Sequence, residues 1–108
     1  MKLVTLIVED LKNNSGNKLI HIILSLLYNQ SFRLILNYRL GNFCYINKFF
    51  LSFLILKILK KRQINKYGCD ISYECKIGRR IKFPHPIGIV IGTGVIIEND
   101  VMIWQHVT

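Results

Sequence analysis

The sequence predicts an α+β chain in which an α-helical region, residues 1–66, leads into a parallel β-solenoid of six-residue repeats over residues 67–108. Three observations carry this. Apolar residues recur at three- and four-residue intervals up to about residue 66, with no β-turn dipeptides among them. From Lys66 onward β-branched residues and glycines replace the leucine-rich pattern. From Ile71 a period of six runs to Thr108 and keeps its phase across a two-residue insertion.

Composition sets the limits. At 51% hydrophobic and 19% charged, the chain has the material for a packed core and is not a disordered segment. Its 108 residues suit one domain, or a helical unit plus part of another. Fifteen basic against six acidic residues give a net charge of +9, which favours anionic partners through the long-range field without defining a site. The cations gather at Lys57, Lys60, Lys61, Arg62 and Lys66, then at Lys76, Arg79, Arg80 and Lys82. No aromatic interleaving or nucleic-acid motif accompanies them. They read as a solvated surface, with no nucleic-acid partner and at most a membrane-surface contact. Cys44, Cys69 and Cys75 form no CxxC pair, so neither a disulfide framework nor a metal site is expected, and a reducing cytoplasm fits best. Leu3 to Val8 is too short, and too soon followed by Glu9 and Asp10, for a secretory signal. Phe49 to Leu56 falls well short of the roughly 20 residues that span a bilayer.

Four helices are expected. The first runs from Leu3 to Lys12 and stops at Asn13-Asn14-Ser15-Gly16. The second, Lys18 to Tyr28, is apolar on nearly every side and needs cover from partners. Its His21 has no spaced ligand partner and reads as structural. Ser31 is the expected N-cap of the third, with Phe32, Ile35, Leu36, Leu40 and Phe43 on its buried face and Arg33 and Asn37 elsewhere. The fourth covers Phe49 to Arg62.

Written in sixes, the rest reads ISYECK, IGRRIK, an eight-residue unit FPHPIGIV, IGTGVI, IENDVM and IWQHVT. First positions are Ile71, Ile77, Phe83, Ile91, Ile97 and Ile103. Fifth positions include Cys75, Ile81, Val95, Val101 and Val107. One recurring aliphatic per six residues can fill a narrow prism, while Ser72, Gly78, Gly92 and Glu98 suit its corners. Three sixes make one triangular coil. Ordinary β-hairpin alternation could account for Ile87 to Ile97 alone but not for six units in phase.

The run CDISYECKIGRRIKFPHPIGIVIGTGVIIENDVMIWQHVT closely resembles the start of the β-helix in the serine acetyltransferases, a match that covers Tyr67 to Thr108. EDLKNN and SFRLILNYRLGNFC resemble that family's helical segment, especially its shorter-headed members from capsule and exopolysaccharide clusters. The resemblance implies a left-handed parallel β-helix of hexapeptide repeats, truncated here. It also implies transfer of an acetyl group from acetyl-CoA to a hydroxyl, as in cysteine biosynthesis, with no metal. Homotrimeric assembly with CoA in the groove between prisms is implied as well. His85 matches the family's general base, for which a group titrating near neutrality is suited. Asp70 matches the carboxylate that orients the imidazole. Read on their own residues, His85 could instead be a loop histidine pinned between two prolines, and Asp70 a corner residue bonded to its own backbone. His106 has no counterpart in the family's chemistry and reads as a surface histidine. Trp104, at a position where small residues are usual, would cover a neighbouring coil or a subunit contact.

Two departures follow from the same comparison. Many serine acetyltransferases carry an aspartate directly before the base, where this chain has Pro84, so a sugar hydroxyl stands beside serine as a possible acceptor. The family continues past the position of Thr108 with coils that carry a second histidine and most of the CoA contacts. The chain is therefore expected to be an incomplete form, its CoA-binding residues and its activity on its own both open. The rival from another class is a non-enzymatic basic module for oligomerisation or membrane-surface binding.

Overall fold

The computed structural model of the chain describes residues 3–15 and 19–108. Among them are helices α1 (Leu3–Ser15), α2 (Leu19–Tyr28), α3 (Gln30–Asn47) and α4 (Ser52–Tyr67). Strands β1 (Asp70–Ile71), β2 (Lys76–Ile77), β3 (Val90–Ile91) and β4 (Ile96–Ile97) follow. α1 continues through Asn13, Asn14 and Ser15, three residues past its expected end, because asparagine and serine are only mildly unfavourable inside a helix. Gly16 of the expected turn, and Lys18 at the expected start of α2, lie outside the described residues.

α3 begins two residues earlier than expected. Asn29 is the cap, its side chain accepting the Phe32 N–H at 3.0 Å, while Ser31 sits in the first turn and its hydroxyl accepts the Phe83 N–H at 2.9 Å. The buried face is also rotated: Asn37 is buried with Phe32, Leu34, Ile35 and Tyr38, and Phe43 is exposed. Residues 48–51 form a turn rather than the start of α4, with Lys48 left-handed at φ 45 and the Ser52 N–H bonded to the Phe49 carbonyl at 2.9 Å. α4 then runs five residues past Arg62, until Gly68 adopts φ 61 and donates to the Gln63 and Ile64 carbonyls. A positive φ at this position is the ordinary way to satisfy the last carbonyls of a helix.

Beyond Gly68 the chain passes twice over the same three edges. β1 pairs parallel with β3 (Asp70 with Val90, Ile71 with Ile91), and β2 with β4 (Lys76 with Ile96, Ile77 with Ile97). An isolated parallel bridge joins Lys82 to Met102. The offset is twenty residues each time (70 to 90, 76 to 96, 82 to 102), three sixes plus the two extra residues of FPHPIGIV. Ile71, Ile77, Phe83, Ile91 and Ile103 are buried and Ile97 is partly so, as the period places them. Cys75 and Ile81 at fifth positions are buried too and Val101 is partly so, whereas Val95 and Val107 are exposed.

A buried polar network fastens the helices to the coil. Arg39 donates to Asp10 Oδ2 at 2.9 Å, to the Ile77 carbonyl at 2.8 Å and to the Gly78 carbonyl, tying α1 and α3 to β2. Tyr38 donates to the Cys75 carbonyl at 2.6 Å. Asn37 donates to the Leu59 carbonyl at 2.9 Å and accepts from Tyr73 at 2.6 Å and Gln63 at 3.2 Å. Gly41 lies flat against the Tyr73 ring, where any Cβ would overlap it. These bonds explain why Asn37 and Arg39 face inward: a buried polar side chain is tolerated only where its partners are supplied.

Candidate active site

His85 sits on the segment that carries the two extra residues, exposed between Pro84 and Pro86. The Ile87 N–H bonds the His85 carbonyl at 2.8 Å, and the Gly88 N–H bonds the Gly68 carbonyl at 3.1 Å, so the loop is closed on itself and fastened to the start of the coil. Gly88 has φ 64 and packs against the His106 ring, leaving no room for a side chain. The His85 ring stands against Trp104, with centroids 5.8 Å apart and planes tilted by 42°. It opens onto a cavity of about 500 Å³ whose coil side is Lys82, Pro84 and Pro86 and whose helix side is Asn29, Gln30 and Ser31 at the start of α3. A histidine held in this way, outside the packed prism, has a free ring edge for a ligand.

Asp70 lies at a second and larger cavity, about 640 Å³, between α4 and the coil. Its carboxylate bonds Lys60 Nζ at 2.9 Å. The same ammonium donates to Gln63 Oε1 at 2.7 Å and to the Ile71 carbonyl at 2.8 Å, and it lies 4.6 Å from the centre of the Tyr73 ring. Burial, reinforced by the Asp70 charge, raises the Tyr73 phenol, which therefore stays protonated as a donor to Asn37. The hydroxyls of Ser72 and Thr93 meet at 3.0 Å, and Thr93 reaches Glu74 Oε2 at 3.2 Å. The Glu74 carboxylate in turn raises the Tyr45 phenol.

Asp70 and His85 thus belong to one stretch of backbone but to different cavities. The Asp70 N–H bonds the Ile89 carbonyl at 2.8 Å, which links β1 to the end of the His85 loop. Among the described residues the Asp70 carboxylate is bonded to Lys60 and not to the imidazole. His106 and His21 are exposed. Two neighbours of His85 were read differently in the sequence, Lys82 as part of a solvated cation cluster and Trp104 as cover for a neighbouring coil or a subunit contact. A signal for Trp104 exists: with an offset of twenty, Trp104 stacks one coil beyond Pro84 and so beside His85.

The remaining candidates offer no rival chemistry. Cys44, Cys69 and Cys75 are free and buried, and burial pushes all three thiols up, away from the reactive thiolate. No group of three or more histidine, cysteine or acidic side chains among the described residues could hold a metal ion. No helix among them is long and apolar enough to cross a membrane. Of the basic cluster, Lys60 is paired with Asp70, while Arg79 and Arg80 bond Glu9 and Asp100 at 2.5 Å.

No family model matches the chain. The serine acetyltransferase of Buchnera aphidicola subsp. Schizaphis graminum is 35% identical over 111 residues, covering 100% of this chain and 41% of that protein. The serine acetyltransferase of Escherichia coli K12 is 37% identical over 84 residues, 77% of this chain and 29% of that protein. Among solved structures, soybean serine acetyltransferase complexed with serine superposes with a TM-score of 0.78 at 26% identity, over 96% of this chain and 42% of that one. A serine acetyltransferase in complex with CoA gives 0.77 at 28% identity, over 95% and 44%. The chain therefore spans less than half the length of the relatives it matches.

Proposed function

Since the chain belongs to the serine acetyltransferase-like family, we propose that the protein carrying it transfers an acetyl group from acetyl-CoA to the hydroxyl of L-serine. The observation that carries this reading is the 35% identity to a serine acetyltransferase along the whole of the chain. The twenty-residue coils of 67–108 are read as the start of a left-handed parallel β-helix of hexapeptide repeats, and 1–66 as a helical region docked on it. Homotrimeric assembly and a cytoplasmic location, where three buried thiols stay reduced, belong to the same reading.

In this reading His85 accepts the proton of the acceptor hydroxyl while the oxygen attacks the thioester carbonyl, giving a tetrahedral oxyanion. Collapse of that adduct breaks the carbon–sulfur bond, and the proton held on His85 passes to the departing thiolate, so that O-acetylserine and CoA leave and the imidazole returns neutral. Asp70 is the residue that orients the imidazole. Its present bond to Lys60 must give way, or be relayed, for that role to operate. Geometry supplies the rest of the rate: a hydroxyl and a thioester held at one base react as an effectively intramolecular pair.

One observation favours a second acceptor class. Pro84 stands where many serine acetyltransferases carry an aspartate that helps hold serine, which leaves a sugar hydroxyl as the alternative. The test is direct. The complete protein is incubated with acetyl-CoA and either L-serine or a hexose, and the acetylated product is identified by mass. O-Acetylserine is expected. Acetylated hexose without O-acetylserine would replace the serine reading by the sugar one, and neither product would end both.

A further inference from the structure

The outer face of α4, with the turn before it, carries large apolar side chains and cations on one surface. Phe50 in the turn is 92% exposed, and on α4 Phe53 is 64% and Ile58 60% exposed. At helical spacing Phe53, Lys57, Lys61 and Ile64 form one row and Leu54, Ile58 and Arg62 the next, so the two kinds of side chain interleave along the helix. Lys57 Nζ lies 5.8 Å from the centre of the Phe53 ring. Further along, Ile58, Lys61, Arg62, Asn65 and Lys66 line a shallow hollow of about 430 Å³. The opposite side of α4 is already committed: Ser52, Gln63 and Tyr67 are buried there, and Gln63 bonds Asn37 of α3 and the Ile71 N–H of β1.

An exposed apolar patch of this kind marks an interaction surface, and its charge selects the occupant. No acidic residue stands between Asp10 and Asp70, whereas most of the fifteen cations do. At the hollow, desolvation and then the charges of Arg33 and Arg62 push the Lys66 ammonium down, a crowding that a bound anion would relieve. A second copy of the same face would set Lys57, Lys61 and Arg62 against their own kind. A nucleic acid would satisfy those cations and leave Phe50, Phe53 and Ile58 in water. An anionic bilayer meets both demands, since its headgroup phosphates lie directly above an apolar phase. We propose that this face seats the protein on the surface of an anionic lipid bilayer, with Phe50 and Phe53 in the acyl boundary and Lys57, Lys61 and Arg62 at the phosphates. α4 then lies in the plane of the membrane and does not cross it. The contact adds a site of action to the acetyl transfer proposed above and does not rest on it.

Co-sedimentation of the complete protein with lipid vesicles is the test. Vesicles of phosphatidylcholine alone are compared with a roughly 2:1 mixture of phosphatidylcholine and phosphatidylglycerol, to which binding should be roughly 100-fold stronger, about fivefold for each of three cations at the surface. That advantage should shrink as salt is raised. The triple variant Lys57→Gln, Lys61→Gln, Arg62→Gln should lose most of it. Phe50→Ser with Phe53→Ser should weaken binding to the mixed vesicles by roughly 10- to 100-fold through lost apolar burial, with circular dichroism unchanged because both rings are exposed. Equal binding to neutral and anionic vesicles, or none to either, would overturn the proposal. Binding that survives the loss of both rings would reduce the contact to charge alone and overturn it too. If sedimentation velocity shows the phenylalanine variant falling apart into smaller assemblies while the wild type ignores vesicles, the face belongs to a second copy and the proposal is lost.

Discussion

Arg39 is the strongest single tie between the helices and the coil, and Arg39→Met is the perturbation that measures it. The guanidinium is 4% exposed and the Asp10 carboxylate 1%. Removing the cation leaves a buried carboxylate without its main counter-charge and takes a donor from each of the Ile77 and Gly78 carbonyls. Breaking a buried pair from one side costs about 3–5 kcal/mol. In urea, with a slope of about 1.5 kcal/mol per molar for a chain of this size, the unfolding midpoint should fall by about 2–3 M. The double variant Arg39→Met with Asp10→Leu removes both charges together and should recover most of that loss, because apolar replacement of a whole buried pair is close to neutral. Equilibrium urea unfolding of the wild type, Arg39→Met, Asp10→Leu and the double variant at pH 7 is the assay. A loss below about 1 kcal/mol in the single variant, or a double variant as unstable as the sum of its parts, would refute the account of the network.

Acid should weaken the same junction from the other side. The bond from Arg79, aided by the Arg79 and Arg80 charges, holds the Glu9 carboxyl below its ordinary 4.5, and Arg80 holds Asp100 below 3.8. Depressed carboxyls contribute stability that is present above those ordinary values and lost as pH falls through the lower folded ones, so the urea midpoint should drop below about pH 4.5, and by less in Glu9→Gln. Asp10, which burial raises, acts in the opposite sense. Gly41→Ala places a methyl into the Tyr73 ring and should cost about 1–3 kcal/mol by the same measurement. In the complete protein, Asp70→Asn should lower turnover by no more than loss of the base does while leaving CoA affinity unchanged, as read by isothermal titration with CoA.

Much of the coil was legible because a period of six is a strict constraint: a slip of one residue would turn Ile71, Ile77, Phe83, Ile91 and Ile103 out of the core together. The helices were legible as helices but not at their ends. α3 took Asn29 over Ser31 as its cap, and α4 overran Arg62 until Gly68, because local propensities there differ by less than the packing that overrides them. Asn37 was misplaced, and Arg39 not singled out, for a related reason. Hydropathy puts such residues outside, and only the backbone carbonyls of Leu59, Ile77 and Gly78, distant in sequence, make an inward position tolerable. At the site, both His85 and Asp70 were singled out by the resemblance; on its own residues His85 reads equally as a loop histidine between two prolines. The bond from Lys60 to Asp70 spans ten residues and two kinds of structure, and no periodicity announces it. Lys82 was visible only as one of many cations until its neighbours were known.

The most direct measurement of the account is steady-state CoA release from acetyl-CoA by the complete protein, with L-serine as acceptor, for the wild type and His85→Ala. Removal of the general base should lower kcat by roughly 10²- to 10⁴-fold with the fold and CoA affinity preserved. Near-wild-type turnover in a folded His85→Ala protein would contradict the central claim, and His85 would then be a loop histidine between two prolines.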